Sequence, residues 1–482
     1  MSDQSDQPLL RSLLAYLRME QTSFHVPGHK GGLAAPLSLQ EALGAAPFRL
    51  DLTEVGLLDS LQHPVAEMRD AMILASLAFG ADRTWFLVNG STAGVHAMLL
   101  AVLTENEEVL ISRDCHLSAI GGMILCGSHP QYLFPTWDSD WHLFLPAQAS
   151  SIADALGLCP SVAAVFLTSP SYFGIASDLG AVGQISSGRD LPIMVDEAHG
   201  AHFAFHPAFP KTAMASRVDL SVQSAHKTLT SLTQSALLHW KRGRVEEEKV
   251  RAALDILQTS SPSYLLAASL DATRWQMANE GTKLWQSTIE LAEEAREQVN
   301  RINGLRCLNP SDLRDRGYTL DPTKLLVDVW RLGMDGFRAA RILQAFGVDV
   351  ELADPWHVLA VFSIADTPDS LERLLLALRK LPEFVPNSRS RFDGSSLPSP
   401  PIPSSFFTPR QAFFSPCDRV RLSESRGRIV ARSLAPYPPG IPALVPGEMI
   451  DVDTIEYLRL WQQLGARILG LEGEELWVKV VH

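Results

Sequence analysis

Two stretches decide the fold of this chain: Ile193-Met194-Val195-Asp196-Glu197-Ala198-His199-Gly200 and Val222-Gln223-Ser224-Ala225-His226-Lys227-Thr228. In each stretch an apolar segment gives way to polar, chemically active side chains. Short apolar runs are typical of strands buried in a parallel sheet, and such sheets carry their functional residues in the loops that follow the strands. The two stretches therefore predict an α/β domain with its chemistry at one edge of the sheet.

The side chains after these two runs suit pyridoxal phosphate. An aspartate can hold the proton on the ring nitrogen of this cofactor, and a lysine can bind its aldehyde. Asp196 and Lys227 are the residues in those positions. Taken alone, Asp196 could simply cap a turn at the end of a strand, and Lys227 could be an exposed loop lysine. Their order on one α/β domain favours the cofactor.

A third segment has the composition of a phosphate-binding turn. Gly90, Ser91 and Thr92 follow the apolar run Trp85–Val88 and precede the helical pattern Val95–Val102. Glycine allows close backbone approach, and the start of a helix offers free N–H groups to an anion. The alternative is an ordinary turn in which a hydroxyl caps the helix.

His116 is a candidate for stacking on the cofactor ring. It lies in Arg113–Ser118, just after the apolar run Val109–Ile111. A loop at that edge of the sheet would bring an imidazole to the cofactor, whereas the alternative is a histidine on the surface.

Alternating strand and helix patterns indicate the domain organisation. We predict a mainly parallel sheet in a large domain, a small α+β domain and a C-terminal α+β domain. The predicted segments are an N-terminal segment 1–22, a cofactor-binding large domain 23–285, a small domain 286–385, a Pro/Ser-rich linker 386–410 and a C-terminal domain 411–482. The predicted strands of the large domain are Thr84–Val88, Glu108–Ile111, Ala163–Leu167, Pro192–Val195, Val218–Val222 and Ser235–His239. The patterns that follow are a helix Leu270–Val299, a strand Leu325–Trp330, a helix Met334–Phe346, a strand Val358–Ser363 and a helix Ser370–Leu381.

Composition excludes several classes of protein. The 482 residues are 46% hydrophobic and 20% charged, and no apolar run approaches the ~18 residues of a membrane span. The net charge of −13 disfavours nonspecific binding of nucleic acid, and the polar start of the chain does not resemble a secretory signal. The five scattered cysteines form no Cys-x-x-Cys pair, which argues against disulfides and a thiolate zinc site. We therefore expect a cytoplasmic protein that binds neither membrane nor nucleic acid.

Two other interpretations of the first stretch are set aside. It contains the letters Asp-Glu-Ala-His of a helicase motif, but the chain has no phosphate-binding P-loop sequence. His199, His202 and His206 have a spacing that could bind a metal on a helix, but Gly200 and Pro207 argue against a regular helix there. We predict no metal, and we expect His199 to pack against a ring or to form a hydrogen bond instead.

Taken together, the motifs resemble those of the Orn/Lys/Arg decarboxylases, in particular the shorter bacterial members. The resemblance runs from about residue 20 to 450. The segments that carry it are Ser23-Phe24-His25-Val26-Pro27-Gly28-His29-Lys30-Gly31-Gly32, Asp51-Leu52-Thr53-Glu54, Asn89-Gly90-Ser91-Thr92-Ala93-Gly94, Asp196–His202, Ser224–Thr228, Ser261-Pro262-Ser263-Tyr264 and Tyr437-Pro438-Pro439-Gly440-Ile441-Pro442.

The resemblance implies an aspartate-aminotransferase-like fold and a homodimer, or a higher homo-oligomer, with active sites at the interface. It implies that Lys227 binds the cofactor aldehyde, that Asp196 holds the ring nitrogen and that His116 stacks on the ring. Glu448 resembles the residue that reaches the distal cation of the substrate, for which a carboxylate is suited. The implied contacts to the phosphate or the ring are Gly90, Ser91, Thr92, Ser224 and His226, with His199 beside the cofactor.

Two positions depart from the family pattern. In the segment usually Arg-Asn-x-His-Lys-Ser, Asp114 replaces a neutral amide and Leu117 replaces a lysine. After Pro64, a glycine of the family is absent from His63-Pro64-Val65-Ala66-Glu67. Both positions are expected near the pocket.

The hypothesis that follows is a pyridoxal-phosphate-dependent decarboxylase for arginine, lysine or ornithine, which supplies amines to polyamine metabolism. The motifs leave the choice among the three amino acids open, because one carbon or a guanidinium cap changes only the depth of the pocket. The alternatives are another enzyme of the same cofactor, such as an aminotransferase, and a protein that binds the cofactor without catalysis.

Overall fold

The computed structural model of the protein describes residues 3–19, 21–385, 393, 400–437 and 440–482. Most of the predicted linker, residues 386–392 and 394–399, lies outside the described residues, as do Pro438 and Pro439 of the Tyr-Pro-Pro-Gly motif. The prediction for those residues stays a prediction.

Helices and strands alternate along most of the chain. The α-helices are α1 Pro8–Arg18, α2 Leu37–Leu43, α3 Ala46–Leu50, α4 Glu67–Phe79, α5 Gly90–Val102, α6 Leu117–Cys126, α7 Ala149–Leu158, α8 Leu179–Ser187, α9 Ala225–Thr228, α10 Glu247–Leu257, α11 Tyr264–Val299, α12 Pro310–Arg314, α13 Gly336–Ala345, α14 Pro368–Lys380, α15 Pro409–Phe414 and α16 Val452–Leu464. The strands are β1 Arg83–Leu87, β2 Glu108–Ser112, β3 His129–Leu133, β4 Thr136–Asp138, β5 Leu143–Leu145, β6 Val162–Thr168, β7 Ile175–Ala176, β8 Ile193–Asp196, β9 Leu220–Gln223, β10 Ala236–Trp240, β11 Arg306–Cys307, β12 Thr319–Leu320, β13 Lys324–Asp328, β14 Leu352–Ala353, β15 His357–Val361, β16 Cys417–Arg421, β17 Ala435–Tyr437, β18 Arg467–Leu469 and β19 Trp477–Val481.

The chain divides into two compact units, each assembled from separate segments. The first unit comprises Met1–Val102, Ser186–Pro207 and Lys211–Leu284, and the second comprises Leu103–Ile185, Ala208–Pro210 and Trp285–His482. The boundaries that we predicted for the domains stay predictions, because these units follow compactness and not the order of the sequence.

The strands of the first unit are ordered β1-β10-β9-β8. β8 and β9 are parallel, whereas β10 pairs antiparallel with both β9 and β1. Helix α5 packs so closely on these strands that a Cβ atom added at Gly94 would lie 2.5 Å from Val222 and 2.7 Å from Leu87. This close approach fixes the start of α5 relative to β1 and β9.

The second unit contains one parallel group and several antiparallel sheets. β2 pairs parallel with β3 and with β6. An antiparallel sheet has the order β11-β13-β15-β14, and the pairs β16-β19 and β17-β18 follow in the C-terminal part. The largest apolar core of this unit joins the antiparallel sheet to the C-terminal part through buried side chains that include Val327, Trp356, Leu375, Leu444 and Trp461.

The predicted architecture is confirmed: an α/β layer with mainly parallel strands is followed by α+β elements. The predicted strands and helices are all present, with ends shifted by a few residues. The largest shift is in α11, which begins at Tyr264 and not at Leu270. The five residues Leu265 to Ser269 extend this helix beyond its predicted start.

Among the described residues, the structure contains no helix with the length and apolarity of a membrane span.

Candidate active site

In the first unit, two neighbouring parallel strands bring the predicted catalytic residues to one edge of the sheet. β8 ends at Asp196, and the register places Asp196 opposite Val222 of β9. Ser224 follows β9 directly and precedes the short helix α9, which contains His226 and Lys227. Because the strands are parallel, their carboxyl ends present these side chains at the same edge.

Lys227 and His199 are in contact. The Nζ atom of Lys227 lies 3.1 Å from Nε2 of His199. The histidine is buried, whereas the lysine side chain is exposed and can be reached by a small molecule. An amine beside an imidazole can transfer a proton to it, which is what a nucleophilic lysine requires.

The turn before α5 joins the same group of residues. Gly90 has a φ of +74°, in the left-handed region that favours glycine, and it opens the helix. The Oγ atom of Ser224 donates to Oγ of Ser91 at 2.8 Å. The first turn of α5 and the hydroxyl of Ser91 therefore lie beside the end of β9, and the first N–H groups of a helix are what an anion site requires.

Asp196 is a buried carboxylate without a cationic partner in the part of the chain that the structure describes. It is 5% exposed, and its Oδ1 accepts a hydrogen bond from the backbone N–H of Ala198 at 3.1 Å. A buried carboxylate is costly unless it is paired. A protonated ring nitrogen would be such a partner.

These residues fit pyridoxal phosphate by the chemistry of their donor set. The first unit offers an accessible amine at Lys227, a buried and unpaired carboxylate at Asp196 and an anion-binding helix start at Gly90. His226 is held by its Nδ1–H, which donates to the carbonyl of Ser235 at 2.8 Å and orients the ring. The structure thus brings Ser91, Asp196, His199, Ser224 and Lys227 to one edge of the sheet, and their roles at a cofactor stay predictions.

Sequence reasoning missed Glu197, which lies at the centre of a buried polar network. Its carboxylate is 1% exposed and accepts hydrogen bonds from Ala213 N at 2.9 Å, Ser221 Oγ at 3.1 Å and Gln223 Nε2 at 2.8 Å. Its own N–H donates to the carbonyl of Val222 at 2.9 Å. Glu197 therefore connects the end of β8, which carries Asp196, to β9, the strand that precedes Lys227.

The network continues across the sheet in a fixed direction. Because the amide nitrogen of Gln223 donates to Glu197, its oxygen accepts from Nε2 of His239 at 3.0 Å. Nδ1 of His239 is then an acceptor, and the hydroxyl of Thr84 donates to it at 2.9 Å. Burial raises the pKa of Glu197 to about 7 and lowers the pKa of His239 to about 3, so that the histidine is neutral.

A signal for this network was present in the sequence. Ser221 and Gln223 alternate with apolar residues in β9, so they lie on one face of the strand. Two polar side chains on one face of a fully buried strand require hydrogen-bond partners inside the protein. The adjacent Glu197 was the available acceptor.

In the second unit, His116 is exposed and is the N-cap of α6. Its Nδ1 accepts from the backbone N–H of Ser118 at 3.1 Å, and the Ser118 hydroxyl lies 2.9 Å away. This contact orients the ring and leaves Nε2 as the donor of the neutral form. The predicted stacking of His116 on the cofactor stays a prediction.

Glu448 forms a buried ion pair with Arg113 in the second unit. Nε and Nη2 of Arg113 donate to the two carboxylate oxygens at 3.1 and 2.8 Å, and the backbone N–H of Val445 donates to Oε2 at 2.8 Å. Two further N–H groups of the guanidinium donate to the carbonyls of Pro442 and Ala443. Burial raises the pKa of Glu448, and the ion pair with Arg113 limits that rise.

This ion pair changes how Glu448 must be interpreted. The sequence predicted that Glu448 binds the distal cation of a substrate, but its charge is already matched within the chain. A substrate cation would have to share the carboxylate with Arg113 or displace it. The substrate role of Glu448 stays a prediction, whereas its structural role is visible.

Comparison with known proteins settles the family. The model of the Orn/Lys/Arg decarboxylase major domain matches residues 7–370, and the model of the C-terminal domain matches residues 402–476. The chain belongs to the Orn/Lys/Arg decarboxylase family. It is therefore a pyridoxal-phosphate-dependent decarboxylase, as its motifs predicted.

Named relatives agree with the family. The arginine decarboxylase of Halalkalibacterium halodurans is 35% identical over 98% of this chain and 97% of its own length. The arginine decarboxylase of Bacillus subtilis is 33% identical over 98% and 97% of the two chains. The crystal structure of a lysine decarboxylase from Francisella novicida has a TM-score of 0.85 at 22% identity, and the match covers 99% of this chain and 81% of that one. The last comparison confirms the predicted fold.

One departure from the family pattern is accommodated locally. The segment His63–Glu67 lacks the family glycine, and neither Val65 nor Ala66 has a positive φ. Its conformation is held by Asp59, whose carboxylate accepts from the backbone N–H groups of Val65, Ala66 and Met68 at 2.7 to 3.2 Å. The structure therefore requires no glycine at this turn.

The other departure alters the electrostatics of the second unit. Leu117 is simply the first residue of α6. Asp114, in contrast, adds a carboxylate that is 9% exposed and accepts a hydrogen bond from the hydroxyl of Ser112. Burial raises the pKa of Asp114.

Proposed function

We propose that this chain removes the α-carboxylate of L-arginine as CO2 and releases agmatine. The observation that carries the proposal is the convergence of Lys227, His199, Asp196 and the Ser91 turn at one edge of the first unit's sheet. The two relatives named arginine decarboxylase, each matched over nearly its whole length, favour arginine over lysine and ornithine. We also propose that the amine enters polyamine metabolism and that the protein is located in the cytoplasm.

Pyridoxal phosphate, when bound, supplies an electron sink for the pair of electrons that the leaving carboxylate releases. Asp196 would hold the proton on its ring nitrogen, and Lys227 would bind its aldehyde. The first turn of α5, with Ser91 and Thr92, would bind its phosphate. His116 would provide the ring that stacks on it.

The contact between Lys227 and His199 supplies the acid and the base that the reaction requires. His199 can accept a proton from the amine, which leaves Lys227 neutral and nucleophilic. The same pair can return a proton to the α carbon of the substrate after the carboxylate has left. Glu197 positions both partners, because it connects β8 to β9 through its backbone and its side chain.

A homodimer completes the proposal. Several large apolar side chains in the first unit face solvent, including Phe24 at 95%, Leu33 at 90% and Leu57 at 75% exposure. Exposed apolar side chains at this density are typical of surfaces that bind another chain. These three residues lie between or beside the His-x-Pro-Gly-His-Lys and Asp-Leu-Thr-Glu motifs, so the proposed interface would include these two motifs.

Amine release tests the reaction and the substrate together. Purified, cofactor-loaded enzyme is given arginine, lysine and ornithine separately, and agmatine, cadaverine and putrescine are quantified. We expect agmatine from arginine and at least about tenfold lower kcat/KM for the other two. Cadaverine or putrescine as the main product would replace arginine as substrate, whereas a keto acid or no product would contradict the proposal.

The variant that tests the site is Lys227→Ala. We expect it to reduce turnover by several orders of magnitude without loss of folding, because it removes the group that binds the aldehyde. Lys249→Ala, at an exposed position of α10, is the matched control and should retain full activity. Retained activity in Lys227→Ala would remove this lysine from the mechanism.

The dimer is tested by the mass of the particle in solution. We expect the wild-type enzyme to be a dimer or a multiple of one, and Phe24→Ser with Leu33→Ser to shift it towards monomer. A monomeric wild-type enzyme with full activity would contradict the interface.

A further inference from the structure

A segment at the start of the first unit has no part in the proposed reaction and is held to helix α11. It consists of a stretch without helix or strand, from Gln4 to Gln7, followed by α1, and we refer to it as the N-terminal arm. Leu9 and Leu13, one turn apart on α1, are fully buried. This helix packs on α3 and α4 of the same unit. The arm is therefore an integral part of the folded unit.

A buried ion pair of α11 binds the backbone of the arm. Asp271 and Arg274 are 0% and 1% exposed, and their charged atoms lie 2.5 Å apart. Asp271 accepts a hydrogen bond from the backbone N–H of Leu9, in the first turn of α1, at 2.9 Å. Arg274 donates to the carbonyl oxygens of Gln4 and Asp6 at 3.0 and 2.6 Å. Because both partners of the pair are buried and bind main-chain atoms, they fix the position of α1 along α11.

The far end of α1 presents Tyr16 to a first loop. Its hydroxyl lies 2.9 Å from Nε2 of His25, and Nδ1 of His25 lies 2.5 Å from the carbonyl oxygen of Val26. Since a carbonyl oxygen only accepts, Nδ1 is the donor, and in the neutral ring Nε2 accepts from the hydroxyl of Tyr16. The arm therefore holds the first loop through His25.

The ring of the same tyrosine packs on a second loop. A Cβ atom added at Gly56 would lie 2.9 Å from Cε2 of Tyr16. The φ of Gly56 is +61°, which also favours glycine. The absence of a side chain at this position thus allows Tyr16 to lie directly against the backbone of the second loop.

The residues that this tyrosine contacts have exposed apolar neighbours in the sequence. Phe24 and Val26, on either side of His25, are 95% and 61% exposed. Leu57, directly after Gly56, is 75% exposed. One phenol side chain therefore holds the backbone of two loops at the points where they expose apolar side chains to solvent.

We propose that the N-terminal arm positions the subunit interface: Tyr16 holds the two loops in place, so that a second copy of this chain binds an apolar surface that is already formed. This role of the arm rests on the homodimer proposed above. A loop that is ordered before association loses less conformational entropy when the partner binds. Loss of the tyrosine should therefore weaken the dimer although the exposed apolar side chains themselves are unchanged.

Two variants of Tyr16 test this role. The dissociation constant of the dimer is measured by analytical ultracentrifugation of the full-length, cofactor-loaded enzyme over a range of concentrations. We expect Tyr16→Ala to raise it at least about tenfold. Tyr16→Phe keeps the ring beside Gly56 and loses only the hydrogen bond to His25, so it should raise the constant about threefold. Arg18→Ala, an exposed position of the same helix, is the matched control and should leave it unchanged.

Two further measurements separate positioning from loss of folding. The specific activity of Tyr16→Ala should rise with enzyme concentration and approach that of wild type, because mass action restores the dimer, whereas a misfolded protein would not recover. Hydrogen exchange, compared at a matched fraction of dimer, should be faster in residues 23–33 and 53–62 of the variant and unchanged in α10. Unchanged exchange in both loops would contradict the role of Tyr16.

The outcomes distinguish this role from the proposed dimer. A monomeric wild-type enzyme would contradict the homodimer and the role of the arm together. A dimeric wild-type enzyme whose dissociation constant is shared by Tyr16→Ala would overturn the role of the arm alone, as would an equal effect of Arg18→Ala. If Tyr16→Ala does not fold, Tyr16→Phe decides, and an unchanged dissociation constant in that variant would overturn the proposal.

Discussion

Two buried glutamates, one in each unit, show how differently a protein can stabilise the same side chain. Glu197 and Glu448 are both 1% exposed, and burial raises the pKa of both. Glu197 is surrounded by neutral donors, from Ala213, Ser221 and Gln223. Glu448 has a cation, Arg113, on both carboxylate oxygens.

The difference determines what each residue can do near neutral pH. Neutral donors favour the carboxylate without cancelling its charge, so Glu197 can exchange a proton at about pH 7. The guanidinium of Arg113 cancels the charge of Glu448, and removal of either partner leaves the other buried and unmatched. The first arrangement allows a change of protonation beside the cofactor residues, whereas the second is a fixed connection between β2 and the C-terminal part of the chain.

The largest expected effect is that of Glu448→Ala. The variant leaves the buried guanidinium of Arg113 without its anion, which should cost about 3 to 5 kcal/mol of stability. The measurement is the shift of the unfolding midpoint in urea or on heating. If Glu448 served only to bind a substrate cation, the KM would rise and the midpoint would not move.

A double variant sharpens this test. Arg113→Met with Glu448→Met replaces the pair by apolar side chains of similar length, and it should recover a large part of the stability lost in Glu448→Ala. Failure to recover would mean that the hydrogen bonds of Arg113 to the carbonyls of Pro442 and Ala443 matter more than its charge.

Glu197→Gln is expected to change the pH dependence of stability. Between the usual carboxyl pKa of 4.5 and about 7, the folded protein binds the proton of Glu197 and the unfolded chain does not. Stability contributed by this residue is therefore full below that window and is lost as pH rises through it, by up to ~3 kcal/mol. Glutamine does not titrate, so the variant should gain stability relative to wild type as pH rises from about 5 to 7.

Thermal unfolding of both proteins across that pH range gives the comparison. Glu280→Gln, at an exposed position of the first unit, is the control and should follow the wild-type curve. A constant difference between wild type and Glu197→Gln at every pH would mean that Glu197 does not titrate in this window. The affinity for pyridoxal phosphate is also compared between the apo forms of wild type and Glu197→Gln. A difference would mean that the position of Asp196 depends on the carboxylate of Glu197.

Much of the fold and of the first unit's site could be predicted from the sequence, because the informative residues lie at strand ends. Asp196 directly follows an apolar run, Ser91 and Lys227 follow two others within a few residues, and a parallel sheet brings the loops after its strands to one edge. The strand pattern therefore located them before any side-chain contact was known. The hydroxyl contact from Ser224 to Ser91 was beyond that reasoning, since it joins residues 133 positions apart.

The two glutamate environments could not be predicted in the same way. Glu448 and Arg113 are 335 residues apart, and nothing in the local pattern of either one names the other. Similarly, Thr84 and His239 meet only because β1 and β10 pair antiparallel in a particular register. Hydrogen-bond direction depends on all members of a network, so it becomes visible only when the strands are assembled.

The smallest expected effect is at the far end of the Glu197 network, at Thr84. Thr84→Val keeps the shape of the side chain and removes the hydroxyl that donates to Nδ1 of His239. Because the lost bond joins two neutral groups, we expect the free energy of unfolding to fall by about 1 to 2 kcal/mol, which is less than for the ion pair of the second unit.

Thr84→Ser retains the donor and serves as the control. Nitrogen NMR of labelled histidine reports whether His239 keeps the proton on Nε2. If Thr84→Val loses no more stability than Thr84→Ser, the loss cannot be assigned to the missing hydroxyl, and the direction that we assign to the network has no energetic consequence at this end. If only Thr84→Val is destabilised, each hydrogen bond in the network donates in the direction from Thr84 to Glu197. If the stability of Thr84→Val also keeps the wild-type dependence on pH, the group that titrates is Glu197 alone.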